Sequence, residues 1–245
     1  MSNVIATFYN FGLTTPAGRV RLISSSGSTP TVAGGPSSDL STTDPIAFYF
    51  NGGSSTGTRV LLVQRRYNAS YVQIFCYLSV YDPSTWTQTV APNTTAYQYS
   101  DSTDLLNIYN LNSPGGTASG TLYGADYSAG RVFKLVHGKT GSTETLTLAT
   151  PYYQFAATVS GASVYSVDTV FNTESSVDYV YAVAQQYAVS GSGSDPANYT
   201  YYNSIIVKLN AGTLAPVTGG GPSATLAPNV FDLQYYGGNL YATAL

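Results

Sequence analysis

A strand–turn–strand phrase that occurs four times restricts this chain more than any other feature. In residues 130–147, Gly-Arg-Val-Phe-Lys-Leu-Val-His-Gly-Lys-Thr-Gly-Ser-Thr-Glu-Thr-Leu-Thr, a short alternating strand enters a tight polar turn centred on Gly138 and Gly141, and a second strand leaves it. Residues 19–23 lead in the same way into Ser24-Ser-Ser-Gly-Ser28, residues 75–81 into Asp82-Pro-Ser-Thr85, and residues 205–209 into Asn210-Ala-Gly-Thr213. The turns begin at residues 24, 82, 137 and 210. The repeating unit is therefore about 55 to 75 residues long, and a fixed period of that kind is the signature of a repeat architecture.

Helical periodicity is nearly absent, while alternation and short β-branched or aromatic runs are everywhere. Strands are expected at residues 3–10, 19–23, 29–32, 46–50, 59–66, 71–81 and 87–90. Further strands are expected at 105–109, 121–127, 131–136, 143–148, 152–159 or 164–171, 178–185, 203–209, 214–217, 230–236 and 239–245. Three segments align as second strands of a unit: Leu122-Tyr-Gly-Ala-Asp126, Val180-Tyr-Ala-Val-Ala184 and Leu240-Tyr-Ala-Thr-Ala244. Two align as first strands, Ile46-Ala-Phe-Tyr-Phe-Asn-Gly-Gly53 and Phe231-Asp-Leu-Gln-Tyr-Tyr-Gly-Gly238. Four antiparallel strands per repeat, radially arranged, make the blade of a β-propeller. The fold class read from the sequence is all-β: one propeller domain over residues 1–245, with four to five four-stranded blades at 1–43, 44–101, 102–150, 151–228 and a partial 229–245. A β-sandwich is the alternative, because it also uses many short strands and turns. The last expected strand is apolar and has no polar tail. A truncated propeller, or terminal strands completed by another chain, follows from that, since an unpaired edge invites association.

Val80-Tyr-Asp-Pro-Ser-Thr-Trp86 looks like a kelch third strand and turn, and across nearly all its length the chain resembles bacterial secreted β-propellers of the quinoprotein-like and kelch-like kind. The resemblance implies architecture only. Trp86 is the single tryptophan, whereas a quinoprotein dehydrogenase docks its blades with one in nearly every repeat. No Trp-Asp dipeptide and no Ser-x-Asp-x-Gly-x-Thr-Trp box occurs.

Only 9% of residues are charged, so Ser, Thr, Asn, Gly and Tyr must cover the surface. Arg65-Arg66 is the one basic pair, too little to neutralise a run of phosphates, and a nucleic-acid partner is not expected. Nothing approaches the ~18 uninterrupted apolar residues of a membrane span, and the first residues lack a signal-peptide pattern. The composition still reads as that of an extracellular or cell-surface protein. Cys76, the single cysteine, lies in an apolar run and reads as a small buried hydrophobe. Catalytic means are thin. His137 is the only histidine and falls in the repeated turn, so a Ser-His-Asp triad and His/Cys zinc sites are not expected. Scattered carboxylates leave paired-acid glycoside chemistry open without a spacing that argues for it. No cofactor and no metal is expected.

Sorting the tyrosines by loop is more informative. In a propeller the loops between second and third strands, and those between blades, emerge on one face. That set holds Tyr9, Tyr67, Tyr97, Tyr99, Tyr127, Tyr152, Tyr153, Tyr187, Tyr199, Tyr201 and Tyr202, and with them Arg65, Arg66, Asp126, Gln185 and Gln186. The repeated turns hold no tyrosine. Tyrosine offers a rigid apolar plane with a polar tip, suited to sugars and to protein interfaces. The candidate ligand-binding residues are Arg65, Arg66, Tyr67, Tyr97, Tyr99, Asp126, Tyr127, Tyr152, Tyr153, Tyr199, Tyr201 and Tyr202. The expected function is non-catalytic binding of a glycan or protein partner. The alternatives are a structural subunit of a surface layer or fibre, self-associating through terminal strands, and a fragment of a polysaccharide-active enzyme.

Overall fold

The structure, a computed structural model, describes residues 3–10, 17–24, 31–34, 40–41, 43–54, 56–67, 73–95, 97–102, 104–112, 119–191, 196–221, 223 and 226–245. Side chains are described from Ile46 onward, apart from residues 66–67, 73–75 and 196. The described residues form an all-β chain whose one helical element is a 3-10 turn at Pro196–Asn198.

Among the described residues, seventeen strands build five sheets in chain order. The first holds β1 (Asn3–Asn10), β2 (Ala17–Ser24), β3 (Thr31–Gly34) and the two-residue β4 (Leu40–Ser41), the last two both paired with β2. The second is the meander β5 (Thr43–Gly52), β6 (Gly57–Tyr67), β7 (Gln73–Tyr81) and β8 (Gln88–Val90). The third repeats that order with β9 (Ile108–Asn112), β10 (Thr121–Asp126), β11 (Arg131–Thr140) and β12 (Thr143–Gln154). The fourth has β13 (Ser163–Glu174), β14 (Val177–Val189) and β15 (Tyr199–Asn210), and the fifth β16 (Val230–Tyr236) and β17 (Asn239–Ala244).

Most expected strands are present, and three expectations need correction. The expected turn strand at 214–217 is only an isolated bridge, Leu209 to Pro216. Pro216 has no N–H to give a ladder, and Gly219 and Gly221 have positive φ, so the segment follows the edge of β15 irregularly. The strand expected at 105–109 begins at Ile108, because Leu105 is bridged to Gln98. Of the alternatives at 152–159 and 164–171 the second is observed, as β13, while residues 152–154 finish β12. His137 and Gly138 lie inside β11, not in a turn; the chain reverses at Gly141, whose φ of 62° suits glycine.

The residues cluster into two compact units, one of 1–106, 115–120 and 137–146, the other of 107–114, 121–136 and 147–245. In the first, Val60, Leu61, Leu62 and Val63 of β6 are all buried, so both faces of that strand are covered and its sequence is a continuous apolar run. Cys76, as expected, is buried beside Leu78 and Val80 on the partner strand. A backbone junction closes this unit. Gly120 donates its N–H to Asn51 O at 2.5 Å, and its own carbonyl accepts the N–H of His137 at 2.7 Å. A Cβ on Gly53 or Gly120 would meet the His137 carbonyl, at 2.2 and 2.6 Å, and no side chain can yield there because the obstacle is backbone.

In the second unit Val180, Ala182 and Ala184 of β14 pack with Ile205, Val207 and Leu209 of β15, and with Tyr123, Val132 and Phe155. The opposite face of β14 joins another cluster through Val183, with Val167, Val170, Val230 and Leu233. Asp168, at a bulge in β13, ties strands that share no ladder. Its carboxylate accepts the N–H of Leu233 on β16 at 2.6 Å, the N–H of Thr169 at 2.7 Å, and the side-chain amide of Asn110 on β9. Burial pushes the group up to about 7, against the pull of the Leu233 and Thr169 N–H groups, with nearby Asp232 adding to the rise. An acid raised in the fold contributes stability that is complete below its unfolded value near 4 and is lost as pH rises through about 7. Denaturant unfolding at pH 4.5 and 7.5 tests this. The Asp168→Asn protein should be less stable by about 1–3 kcal/mol, since its amide faces the Leu233 N–H as a second donor. It should also lack the part of the pH slope that Asp168 supplies; identical slopes would assign that slope to another group.

Candidate functional site

Chemistry at His137 is settled by its partners. The imidazole is buried, and its Nδ1 accepts the Gly53 N–H at 3.1 Å. Nε2 therefore carries the proton and donates it to Glu144 Oε2 at 3.0 Å. Arg59 grips the same carboxylate with both arms, Nε to Oε2 at 3.0 Å and Nη2 to Oε1 at 2.7 Å, and Asp82 stands 3.6 Å from Nη1. The Phe50 ring meets the imidazole edge to face at 5.4 Å. Both ring nitrogens are used, so nothing remains for a substrate, and the cluster is a clasp between the β11–β12 tip and β5–β6. Sequence placed His137 in a turn because Gly138 follows it. The Gly53 N–H and Glu144, 84 and 7 residues away, hold it in the strand instead.

The clasp has a pH signature. Hydrogen bonding from Arg59 holds Glu144 down at about 2, and burial holds His137 below its ordinary value. Both are depressed in the fold, so their contributions are present above the unfolded values, near 4.5 for Glu144 and 6.5 for His137, and fade as pH falls. Set against the opposite contribution of Asp168, which grows as pH falls from about 7 to 4, the clasp should lower the melting temperature in two stages, below pH 6.5 and again between 4.5 and 2, and Glu144→Gln should remove the lower stage. A Glu144→Gln protein that melts in parallel with the wild type across that range would refute the assignment.

The second unit contains a different constellation. Six tyrosines touch in series. Tyr109 of β9 stacks on Tyr127 with centroids 5.1 Å apart, and Tyr127 lies 4.7 Å from Tyr165 of β13. Tyr165 and Tyr187 of β14 are nearly parallel, at 4.6 Å and 5°. Tyr187 then meets Tyr199 at 5.3 Å and Tyr201 at 5.7 Å, both on β15, and those two stack at 6.2 Å. Antiparallel register explains the row. Tyr187 is opposite Ser163 and Tyr201, and Tyr199 opposite Val189, so residues two apart on each strand bring all four rings to one face. Tyr109 and Tyr201 are each 44% exposed, and the four between them are half-buried.

Burial raises Tyr127 and Tyr187, and the other groups that act on them are all tyrosines. No carboxylate, ammonium or guanidinium shifts either one. The arrangement offers an uncharged strip of ring edges and hydroxyls, with no acid, base or nucleophile of catalytic character.

Of the residues expected from sequence, Tyr127, Tyr199 and Tyr201 come together here. Tyr202, one residue on from Tyr201, points to the other face of β15 by strand alternation, and its backbone pairs with Gln186. Tyr152 lies under the Arg131 guanidinium, 4.8 Å from the ring centroid, and Tyr153 packs edge to face on Phe155 at 5.1 Å. Asp126 is fully buried; its oxygens accept the N–H groups of Asn107 and Ala129 and shape the turn after β10. Gln186 is also buried, bonded to Thr158 and Asn203 O. In the first unit Tyr99 is buried, Tyr97 donates its hydroxyl to Leu146 O at 2.9 Å, and Arg65 is half-buried in β6. The side chains of Arg66, Tyr67 and Tyr9 lie outside the described residues. Sequence reasoning missed Tyr109 and Tyr165 because it sorted tyrosines by loop, and these two sit within strands, where neither has a second tyrosine two residues away on its own strand to mark it.

No group of three or more His, Cys, Asp or Glu converges on a metal-sized space, and no helix is long and apolar enough to cross a membrane, among the described residues. No protein-family model matches the chain, and no curated protein matches it in sequence.

Proposed function

We propose that this chain is a non-catalytic, extracellular binding module of β-propeller architecture that takes a partner on its tyrosine strip. The observation that carries the reading is the uncharged row of six ring contacts on one side of the second unit. Desolvating it costs little, because no ion must be stripped of water, and tyrosine contributes large contact area with few rotors to freeze. Support for the propeller comes from the sheets: β5–β8 and β9–β12 are meanders in chain order, with buried second strands and exposed last strands. The resemblance to secreted propellers points the same way.

Between protein and glycan, ring geometry favours protein. A sugar stacks on an open aromatic face, but Tyr127, Tyr165 and Tyr187 each have ring neighbours on both sides. A partner meets their edges and hydroxyls, which suit peptide carbonyls and amides. Peptide and glycan arrays, each probed with wild type and with Tyr109→Ala/Tyr201→Ala, test this. Peptide binding should be lost in the variant at an unchanged melting temperature. Glycan binding that depends on the same two residues would establish the sugar reading instead, and arrays on which the variant binds like the wild type would sink both.

A second reading, self-assembly, rests on β17. Among the described residues it pairs only with β16, and its side chains are mostly exposed, with Tyr241 54% accessible. An edge of this kind is a template for another chain. Light scattering across a concentration range should then show mass growing above 25.8 kDa, and deletion of residues 239–245 should abolish the growth. A chain that stays monomeric at every concentration removes this reading.

A further inference from the structure

The ring contacts that leave little room for a stacked sugar have another consequence. Phenol is the most readily oxidised side chain left in the second unit: the single tryptophan, cysteine and methionine, Trp86, Cys76 and Met1, all belong to the first. Ring overlap at 4.6–5.1 Å from Tyr109 to Tyr187 lets an electron vacancy pass from ring to ring. Both ends of the row, Tyr109 and Tyr201, reach solvent. The row is open where coupling with another molecule is possible and covered in between.

We infer that Tyr109 and Tyr201 are oxidative modification sites, at which two copies of this chain become joined by a dityrosine bond under a haem peroxidase and hydrogen peroxide, with the stacked row supplying the radical. Each of two phenols loses one electron and its hydroxyl proton. The two ring carbons next to the oxygen-bearing carbons form a C–C bond, and each displaced ring hydrogen moves to its oxygen, restoring both phenols. The two electrons and two protons reduce one hydrogen peroxide to two waters. The product is a covalent, uncharged junction between copies, and it requires no residue outside the strip.

Exposure alone makes a different forecast, and this separates the two. Tyr236 is 79% exposed and Tyr241 54%, against 44% for Tyr109 and Tyr201, yet neither belongs to the row. The free chain would be treated with a haem peroxidase and hydrogen peroxide. Dityrosine fluorescence and covalent dimers on a denaturing gel would be followed, and cross-linked peptides mapped by mass spectrometry. The cross-links should fall on Tyr109 and Tyr201 in preference to Tyr236 and Tyr241. Tyr187→Phe keeps a ring in the row but removes a phenol that can hold the vacancy, and should cut the Tyr201 share several-fold at an unchanged melting temperature. Tyr165→Phe provides the same test should Tyr187→Phe fail to fold. Cross-links that follow exposure to Tyr236 and Tyr241, a Tyr201 share indifferent to both variants, or no dimer at all would overturn the inference.

Discussion

The carboxylate of Asp168 does what no sheet ladder in its unit can do. It joins β13 to β16 through the Leu233 N–H and to β9 through Asn110, three strands from three different sheets. Small sheets need this. A two-stranded hairpin such as β16–β17 is marginal alone, and it is fastened to its unit by Asp168, by Ser204 Oγ accepting the Val230 N–H at 3.1 Å, and by Gln185 donating to Val230 O at 3.1 Å. The first unit solves the same problem with other residues: His137 and Glu144 take the Gly53 N–H and the Arg59 guanidinium. Buried polar anchors of this kind are costly when half satisfied and specify one arrangement when complete. They explain why so few charged residues suffice, since Arg59, Glu144 and Asp168 are spent inside.

What remains for the surface is mostly tyrosine and small polar residues. Within the second unit the tyrosines fall into separate groups. Tyr123 is buried with its hydroxyl on Ala211 O at 3.0 Å, and burial pushes it up to about 12. Tyr179 and Tyr181 flank the Lys208 ammonium at 4.0 and 5.3 Å, and Lys208 is itself paired with Glu174 at 2.5 Å. No charged group acts on Tyr127 or Tyr187 within the row, which distinguishes it from the pair around Lys208.

Local signals carried much of the architecture. Alternating and β-branched runs located nearly every strand, with 3–10 and 230–236 matching their observed bounds, and apolar continuity at Val60–Val63 marked a strand covered on both faces. The failures are those in which a distant residue decides. Nothing near His137 announces that Gly53 will bond its Nδ1, so Gly138 read as the turn. Asp126 read as a ligand group because it follows a strand, yet the N–H groups of Asn107 and Ala129 claim it. Four of the six tyrosines of the row were legible as members of one face, Tyr127, Tyr187, Tyr199 and Tyr201, and all of these but Tyr187 as candidate ligand residues. The remainder depended on β-pairing registers, above all the bulge between Ser166 and Asp168, that no local pattern prescribes.

The clasp at His137 also bears on the order of events as the chain is made. Its bonds to Gly53 and Glu144, and the Arg59–Glu144 pair, span up to 85 residues of sequence. β5, β6 and β7 can pair with one another as soon as they emerge, since their ladders are local. Gly53, held for a histidine that is not yet synthesised, cannot find its acceptor until residue 137 is out, and Arg59 stays unpaired with Glu144 until residue 144 follows. Contacts of such separation form late. During that interval the growing polypeptide carries a nearly finished sheet with a buried arginine site still open to water, which makes this stretch of synthesis the one in which a chaperone, or a neighbouring nascent chain, has most to bind.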